Sequence, residues 1–261
     1  MMTSTRPVGD LLREWRQRRR LSQLDLACET DISTRHISFM ETGRSLPSRA
    51  MVLQLAERLE VPLRERNVLL VAAGYAPLFP ERQLADPALD AARKAIDLVL
   101  AGHAPYPALA IDRHWTLVAS NAAVAPLLAG VPPALLQAPV NVLRLSLHPD
   151  GLASRIVNLA QWRTHLLERL RQQIAVSADP VLTALMEELS AYPVPPSTDT
   201  SHQEYAGIAV PFQLRTEKGV LTFFSTTMIF GTPVDVTLSE LAIESFFPAN
   251  AETAAALREN L

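Results

Sequence analysis

The sequence predicts a protein of mixed class, in which an all-helical N-terminal domain is followed by a larger α+β domain. Three observations predict this arrangement. The chain has 261 residues, more than one small helical module needs. Apolar residues recur at helical spacing through about the first 75 positions. Short apolar runs separated by turn residues follow further along. We place the domains at 1–76 and 91–256, with a linker over 77–90 that contains Pro77 and Pro80.

Composition and charge narrow the class of protein. Residues 1–66 carry 12 Arg against 9 acidic residues, net +3, whereas residues 67–261 carry 12 basic against 18 acidic residues, net −6. A basic first domain suits contact with nucleic-acid phosphate, although charges this small also arise by chance. The single cysteine, Cys28, excludes an internal disulfide and a Cys-based zinc site. No apolar run reaches the roughly 20 residues that span a bilayer. We expect a cytoplasmic protein with no metal and no membrane partner.

The first helix combines an apolar stripe with a basic face, and a capped second helix follows it. Apolar residues between positions 11 and 15 have helical spacing, and arginines occupy the remaining faces. We expect Arg19 to lie along a phosphate backbone; a solvated charged face is the alternative. Ser22 is placed to N-cap the second helix in a capping box with Asp25. Gln23 then lies in the first turn, where its amide can donate to a phosphate.

A tight turn separates the second helix from a short third helix. Asp31 stands where the backbone needs a positive φ, which Asp tolerates better than most residues other than glycine. Ser33 is placed to cap a helix over Thr34–Glu41. Within that helix Ile37 and Met40 have the spacing of core positions. The outward-facing side chains are predicted to be those of Thr34, Arg35, His36, Ser38 and Phe39.

The pattern LSQ, then STRHISFMETGRSLPS, then VLQLAERLEVP resembles the Xre-family helix-turn-helix of phage repressors and many bacterial regulators. This resemblance implies a lambda-repressor-like fold of five helices, whose third is the recognition helix. The fourth helix is capped by Ser48, and the fifth covers Pro62 to Ala73. In such domains a Gly often occupies the turn position that Asp31 holds here.

The same resemblance implies that the outward side chains of the third helix, and the turn after it, meet DNA. Arg35 can donate two hydrogen bonds to a guanine in the major groove. Phe39 contacts a thymine methyl or, alternatively, packs against the following loop. Arg44 is placed to meet a phosphate. The predicted DNA-binding residues are Arg19, Gln23, Ser33, Thr34, Arg35, His36, Ser38, Phe39, Thr42 and Arg44.

The second domain is predicted to alternate short strands with helices. We expect helices within 140–192 and a polar, Pro-rich connector from Pro193 to Gln203. The other predicted elements are a helix over Ala88–Ala101, two strands turned at Asp112–His114, a helix beginning at Asn121, antiparallel strands over Tyr205–Leu214 and Gly219–Phe230, and a further element over Val234–Ile243.

The order SLHPDGL, NLAQWR, a strand pair ending in FFSTTMIFGTP and a terminal SFFPAN resembles the MmyB-like ligand-binding domain. That domain is a PAS-related module found behind Xre-type DNA-binding domains. The resemblance implies that the domain holds a hydrophobic small molecule, with fatty acid as the ligand class. The mixed polar and apolar faces of the last predicted strand fit such a cavity, and they fit an ordinary two-sided sheet as well.

Aromatic and basic residues of the second domain are candidates for the ligand site. Trp115 closes a cavity or fills the core, and Trp162 has the same alternative. One of the basic residues Arg144, His148 and Arg155 is expected to pair with an acyl carboxylate. For each of the three, the alternative is a charged side chain at the protein surface. The predicted ligand-binding residues are Trp115, Arg144, His148, Arg155, Trp162, Phe223 and Phe224.

The sequence carries no familiar catalytic pattern: no Gly-rich phosphate loop, no HExxH and no GxSxG. We therefore predict no enzyme, no catalytic residue and no cofactor apart from a bound fatty acid or similar apolar molecule. The enzymatic alternative is a hydrolase with Ser225 or Ser201 as the nucleophile and His202 as the base.

Together these observations predict a sequence-specific DNA-binding transcriptional regulator, expected to be a repressor, whose C-terminal domain senses a hydrophobic small molecule. Its partners would be a double-stranded DNA operator, the ligand and a second copy of the chain. The second copy is expected because one helix-turn-helix domain contacts too few base pairs for useful sequence specificity. The alternative is a constitutive regulator. Its C-terminal domain would only dimerise or recruit a partner, with an interior filled by Trp115, Phe223 and Phe224.

Overall fold

The structure is a computed structural model that describes residues 6–193, 210–231 and 233–258. It divides into two compact units. The first comprises the chain up to Gln83 together with the segments Ala175–Ala178 and Pro233–Ser239, and the remainder forms the second. The domain bounds drawn from the sequence, 1–76 and 91–256, stay predictions.

Eleven α-helices and five β-strands lie in the described parts of the chain. None of those helices is both long enough and apolar enough to span a bilayer. The helices are α1 Val8–Arg18, α2 Gln23–Thr30, α3 Thr34–Glu41, α4 Arg49–Arg58, α5 Leu63–Ala72, α6 Asp90–Gly102, α7 Val142–Leu147, α8 Leu159–Ser177, α9 Pro180–Ala191, α10 Val236–Ser239 and α11 Ala251–Arg258. The strands are β1 Ala108–Ile111, β2 Leu117–Ser120, β3 Phe212–Thr216, β4 Gly219–Ile229 and β5 Ala242–Pro248.

Within the first unit, helices α1 to α5 pack around one apolar core, which confirms the predicted five-helix fold. Each of the three serines predicted to cap a helix of this unit does so. Ser22 and Asp25 form the complete capping box, and the Ser33 and Ser48 hydroxyls accept hydrogen bonds from backbone N–H groups of α3 and α4. Asp31 has a φ of 54°, the left-handed conformation that was expected there. Local rules therefore account for where these helices begin.

Gly9 allows α1 to lie directly against the end of α3. A Cβ atom at this position would lie 2.3 Å from the carbonyl oxygen of Met40, well inside van der Waals contact. Any larger residue would push the two helices apart. The close approach matters because it sets α1 against the predicted recognition helix.

The second unit is built on one antiparallel sheet with the strand order β2-β1-β5-β4-β3. β3 and β4 form a hairpin in which Thr216 pairs with Gly219, so the predicted antiparallel pair is confirmed. Its first strand begins at Phe212 in the described residues and ends at Thr216, two residues beyond the predicted end at Leu214. The part of the predicted first strand over 205–209 lies outside the described residues. β5 lies between β1 and β4, which brings the last strand into the centre of the sheet.

Two predicted elements differ in the structure. The helix expected from Asn121 is wrong: the chain makes turns followed by a short 3-10 helix over Ala125–Leu128. Pro126 lacks an N–H, so it cannot sustain an α-helix there. Asn121 instead donates to the carbonyls of Leu100 and Tyr106. The element expected over Val234–Ile243 divides into α10 and the start of β5.

Candidate DNA-binding surface and ligand cavity

Helix α3 divides sharply into a buried side and an accessible side. Ile37 and Met40 are almost fully buried in the core of the first unit, as predicted. Arg35 is exposed, and Thr34, His36, Ser38 and Phe39 keep part of their surface accessible.

A buried ionic network joins α1, α2 and α3. Glu41, only 3% exposed, accepts hydrogen bonds from Arg16 Nε at 2.6 Å and from Arg16 Nη2 at 2.9 Å. Gln23 Nε2 donates to the same carboxylate at 2.8 Å. Arg13 donates to the Glu41 carbonyl, and Arg16 also donates to the carbonyl of Leu21. The C-terminal end of α3 is thereby tied to both neighbouring helices.

Sequence reasoning missed this network. Burial alone would raise the pKa of Glu41, but the hydrogen bonds from Arg16 and Gln23, with the charge of Arg16, hold that pKa below its usual value. The sequence does contain a signal for this network. Glu41 lies in the last turn of α3, where a negative charge interacts unfavourably with the helix dipole, so a nearby cationic side chain is expected. Gln23, predicted to donate to a phosphate, holds the Glu41 carboxylate in this structure; a second amide hydrogen remains, so the phosphate contact stays a prediction.

The Arg19 side chain forms hydrogen bonds within the first unit. Its Nε donates to the Leu59 carbonyl at 2.8 Å and its Nη2 to the Glu60 carbonyl at 2.9 Å. Its side chain is only 17% exposed. These carbonyls lie at the C-terminal end of α4, where a cation also interacts favourably with the helix dipole. Arg19 therefore caps α4, and its predicted contact with phosphate stays a prediction.

Replacing Arg19 with alanine is expected to lower the free energy of unfolding by about 1–2 kcal/mol, because two helix-end carbonyls lose charged donors. Urea denaturation followed by circular dichroism measures this. The matched control is Arg20→Ala, since Arg20 is an exposed neighbour on the same chain segment. Equal stability of the two variants would show that Arg19 does not cap α4.

The turn after α3 folds back onto the helix. The N–H groups of Arg44 and Ser45 donate to the Phe39 carbonyl at 2.8 and 3.1 Å. The hydroxyl of Thr42 donates to the Ser38 carbonyl, and His36 Nε2 lies 3.5 Å from the Ser45 hydroxyl. The structure thus brings the predicted DNA-binding residues of helix and turn onto one surface.

Three of the predicted ligand-binding residues are buried in the packed core of the second unit. Phe223 is 0% exposed, and its ring centroid lies 6.1 Å from that of Phe212. Trp162 contacts the same Phe212 ring, with centroids 5.0 Å apart. Trp115 is buried and donates from its indole N–H to the Gln173 side chain. These aromatic side chains contribute to the core.

Arg144 and His148 lie in a cluster that joins α7 to α9. Arg144 holds Glu188 through two nitrogens, and the Tyr192 hydroxyl donates to the same carboxylate at 2.6 Å. Burial and this hydrogen bond to Glu188 raise the pKa of Tyr192 to about 12. His148 packs edge-on against the Tyr192 ring. The charge of Arg144 is therefore already paired with the Glu188 carboxylate.

The remaining predicted residue, Phe224, is half-buried on β4 opposite Phe247 of β5.

A cavity of about 460 Å³ lies elsewhere in the second unit, and of the predicted ligand-binding residues only Arg155 lines it. Its walls come from the segments 104–105, 122–130, 216–221 and 256–257 and from Arg155. Most of the lining residues are Ala, Pro, Gly or Leu, whereas Thr216, Glu217 and Lys218 are polar or charged. These segments are far apart in sequence. Sequence reasoning therefore named one wall residue and missed the others.

Arg155 carries a partly desolvated charge. Its Nη1 donates to the Ala129 carbonyl at 2.7 Å and its Nη2 to the Leu127 carbonyl. Its Nε is buried and has no hydrogen-bond partner in the described structure. Burial lowers the pKa of this guanidinium. Across the described residues no carboxylate lies within 4.0 Å of it, so its charge is not neutralised by an ion pair.

In the described residues no group of three or more His, Cys, Asp and Glu side chains is arranged to hold a metal ion. Of the residues in the hydrolase alternative, Ser225 is half-buried on β4, whereas Ser201 and His202 lie outside the described residues. The prediction that the protein is not an enzyme stays a prediction.

Comparison with known proteins agrees with this two-part architecture. Residues 92–259 match the family described as the MmyB-like transcription regulator ligand binding domain, and residues 7–69 match a helix-turn-helix domain family. The chain is 38% identical over 116 residues to a putative HTH-type transcriptional regulatory protein of Methanoculleus marisnigri, covering 42% of this chain and 37% of that relative.

A second relative is the uncharacterized HTH-type transcriptional regulator RghRB of Bacillus subtilis. It is 41% identical over 76 residues, which cover 29% of this chain and 52% of that relative. The chain thus spans about a third to a half of the length of these curated relatives. Because the first family match covers well over half of the chain, the protein belongs to the family of transcription regulators with an MmyB-like ligand-binding domain, preceded here by a helix-turn-helix domain.

Proposed function

We propose that this chain is a sequence-specific regulator that reads operator DNA with α3 and senses a small apolar carboxylate, such as a fatty acid, in the cavity beside Arg155. We expect it to act as a repressor. The observation that carries the DNA-binding part is the accessible side of α3, with Arg35 exposed, on a helix whose other side is fixed by the core and by the Glu41 network.

This arrangement meets the requirements of major-groove recognition. A groove about 12 Å wide admits one α-helix, and its base edges are read by side chains that stand out from the helix. Arg35 has no carboxylate within salt-bridge distance among the described residues, so its guanidinium is available to a guanine. The net charge of +3 over residues 1–66 favours approach to phosphate.

We propose that the regulator binds DNA as a homodimer. One helix-turn-helix domain of this size contacts few base pairs. Two such domains related by a twofold axis, on two half-sites about one helical turn apart, discriminate better between DNA sequences. Light scattering of the full chain, free and on a selected operator, tests this. The proposal predicts two chains per operator, and one chain per operator at saturation would contradict it.

We propose that the second unit is a PAS-like sensor. Its five-stranded antiparallel sheet and a cavity walled by small apolar side chains support this. Walls that are mainly apolar, with Thr216, Glu217 and Lys218 as polar groups beside Arg155, suit an aliphatic chain that carries a polar end. Arg155 lines this cavity and has no ion pair in the described structure, so its guanidinium suits an anionic head group. The ligand would alter DNA affinity by no more than its differential affinity for the two states of the protein.

Native mass spectrometry and calorimetry on the full chain test the ligand. We expect the wild-type protein to bind dodecanoate, and Arg155→Leu to weaken binding by roughly tenfold or more, because the carboxylate loses a charge-assisted hydrogen bond. The control is Arg144→Leu, since Arg144 is already paired with Glu188 and does not line the cavity. Equal affinity of wild type and Arg155→Leu would contradict this assignment of the site.

The constitutive alternative is favoured by one observation. Trp115 and Phe223 are buried in the core, as this alternative predicts, whereas Phe224, the third residue that it places in the interior, is half-buried. In that case the second unit would only dimerise or recruit a partner. Operator affinity that stays the same with and without added dodecanoate, together with the absence of any bound mass, would favour the alternative.

A further inference from the structure

Two arginines contact the Phe39 ring, one from α3 and one from the turn after it. The guanidinium carbon of Arg35 lies 5.2 Å from the ring centroid, and that of Arg44 lies 5.8 Å from it. Arg35 and Phe39 are four positions apart on α3, which places them on the same side of the helix. Both distances are within the range of an attractive cation–π contact.

The backbone brings Arg44 to this ring. After α3 ends, Gly43 adopts a φ of 73°, a left-handed conformation that glycine accepts readily. The N–H groups of Arg44 and Ser45 then donate to the Phe39 carbonyl. The backbone of Phe39 therefore fixes the turn, while its ring contacts the arginine that the turn carries.

Neither arginine is neutralised by this contact. Within the described ranges, no carboxylate lies within 4.0 Å of Arg35 or Arg44, and both side chains are exposed. A free arginine loses considerable side-chain entropy when it is immobilised on a ligand. An aromatic face that already restricts the side chain lowers that cost and keeps its donors available.

We propose that Phe39 is a positioning residue, which holds Arg35 for a base edge and Arg44 for a phosphate without itself reading a thymine methyl. This inference rests on the proposed role of α3 in DNA recognition. The Phe39 ring is then an aromatic platform that Arg35 and Arg44 share. Base recognition by Arg35 and phosphate contact by Arg44 both depend on this ring.

The test uses Phe39→Leu in the full chain, measured by fluorescence anisotropy on an operator obtained by binding-site selection. Leucine keeps an apolar side chain but removes the aromatic face. We expect roughly 3- to 10-fold weaker binding at fixed salt. The slope of log affinity against log salt should fall by up to about 0.9, the value of one phosphate contact. Discrimination at the base pair that depends on Arg35 should fall as well.

Two further variants separate positioning from other roles. Phe39→Tyr, which keeps the aromatic face, should restore both the slope and the discrimination. In the Arg44→Ala background, Phe39→Leu should produce no further loss of slope, because the arginine that the ring holds is already gone. The thermal unfolding midpoint of Phe39→Leu should remain close to that of the wild type.

Other outcomes would overturn the inference. Loss of preference at a single A·T pair, with the salt slope unchanged, would mean that Phe39 reads a thymine methyl. A lower unfolding midpoint with unchanged slope and base preference would mean that Phe39 only packs. Wild-type affinity in Phe39→Leu would also reject the platform. Failure of the wild-type protein to bind any duplex would instead reject the proposed function itself.

Discussion

Replacing Glu41 with alanine is expected to lower the free energy of unfolding of the first unit by about 3–5 kcal/mol, the usual cost of leaving one partner of a buried ion pair alone. Arg16 would then keep its charge next to the core without the carboxylate that two of its nitrogens hold. Gln23 would lose the same acceptor. Because small domains have only about 5–15 kcal/mol of stability in total, this one change should bring the unit close to unfolding.

Chemical denaturation followed by circular dichroism measures the effect, and DNA binding should be lost in parallel. The matched control is Glu29→Ala, which breaks the exposed ion pair with Arg58 at the surface of the same unit. Exposed pairs contribute little, so this variant should behave like the wild type. If Glu41→Ala and Glu29→Ala proved equally stable, the buried network would not hold α3 in place.

Replacing Arg35 with alanine is expected to weaken operator binding by about 1–3 kcal/mol and to relax specificity at one base pair. The reason is that two parallel hydrogen bonds from a guanidinium to guanine discriminate against every other base. Arg35 is exposed on α3, and its charge is not paired with a carboxylate in the described structure. The folded unit should be unaffected, since the side chain supports no buried contact.

The measurement is competition binding against a set of operators that differ at single base pairs. Arg58→Ala serves as the control, because Arg58 is on α4 and paired with Glu29. Its removal should change all operators alike, if it changes any. An Arg35→Ala variant that lost affinity equally for every sequence would show that Arg35 contacts only phosphate.

Much of the first unit could be predicted from sequence because its signals are local. Ser22 with Asp25, Ser33 and Ser48 each sit next to the backbone groups that they cap. The left-handed turn at Asp31 follows from the residue type and its place between two helices. The pairing of β3 with β4 in the second unit is likewise set by a local feature, a hairpin turn of two residues between Thr216 and Gly219. Such features need no knowledge of the tertiary structure.

What sequence reasoning missed depends on contacts between distant residues. Arg16 meets Glu41 across 25 positions, and Arg19 meets the end of α4 across about 40. The cavity beside Arg155 draws its walls from separate segments between positions 104 and 257. Aromatic residue type alone does not separate a core side chain from a ligand contact: Trp162 and Phe223 are buried in the core, and their contact with a ligand stays a prediction.

Binding-site selection of random duplex DNA by this chain at low salt, repeated with Arg35→Ala, tests most directly whether α3 reads DNA. We expect the wild-type protein to enrich one sequence made of two related half-sites about one helical turn apart. We expect Arg35→Ala to enrich the same sequence with one position in each half-site relaxed. Enrichment of no sequence by the wild-type protein, or an identical sequence from both proteins, would contradict the claim that the exposed side of α3 reads DNA.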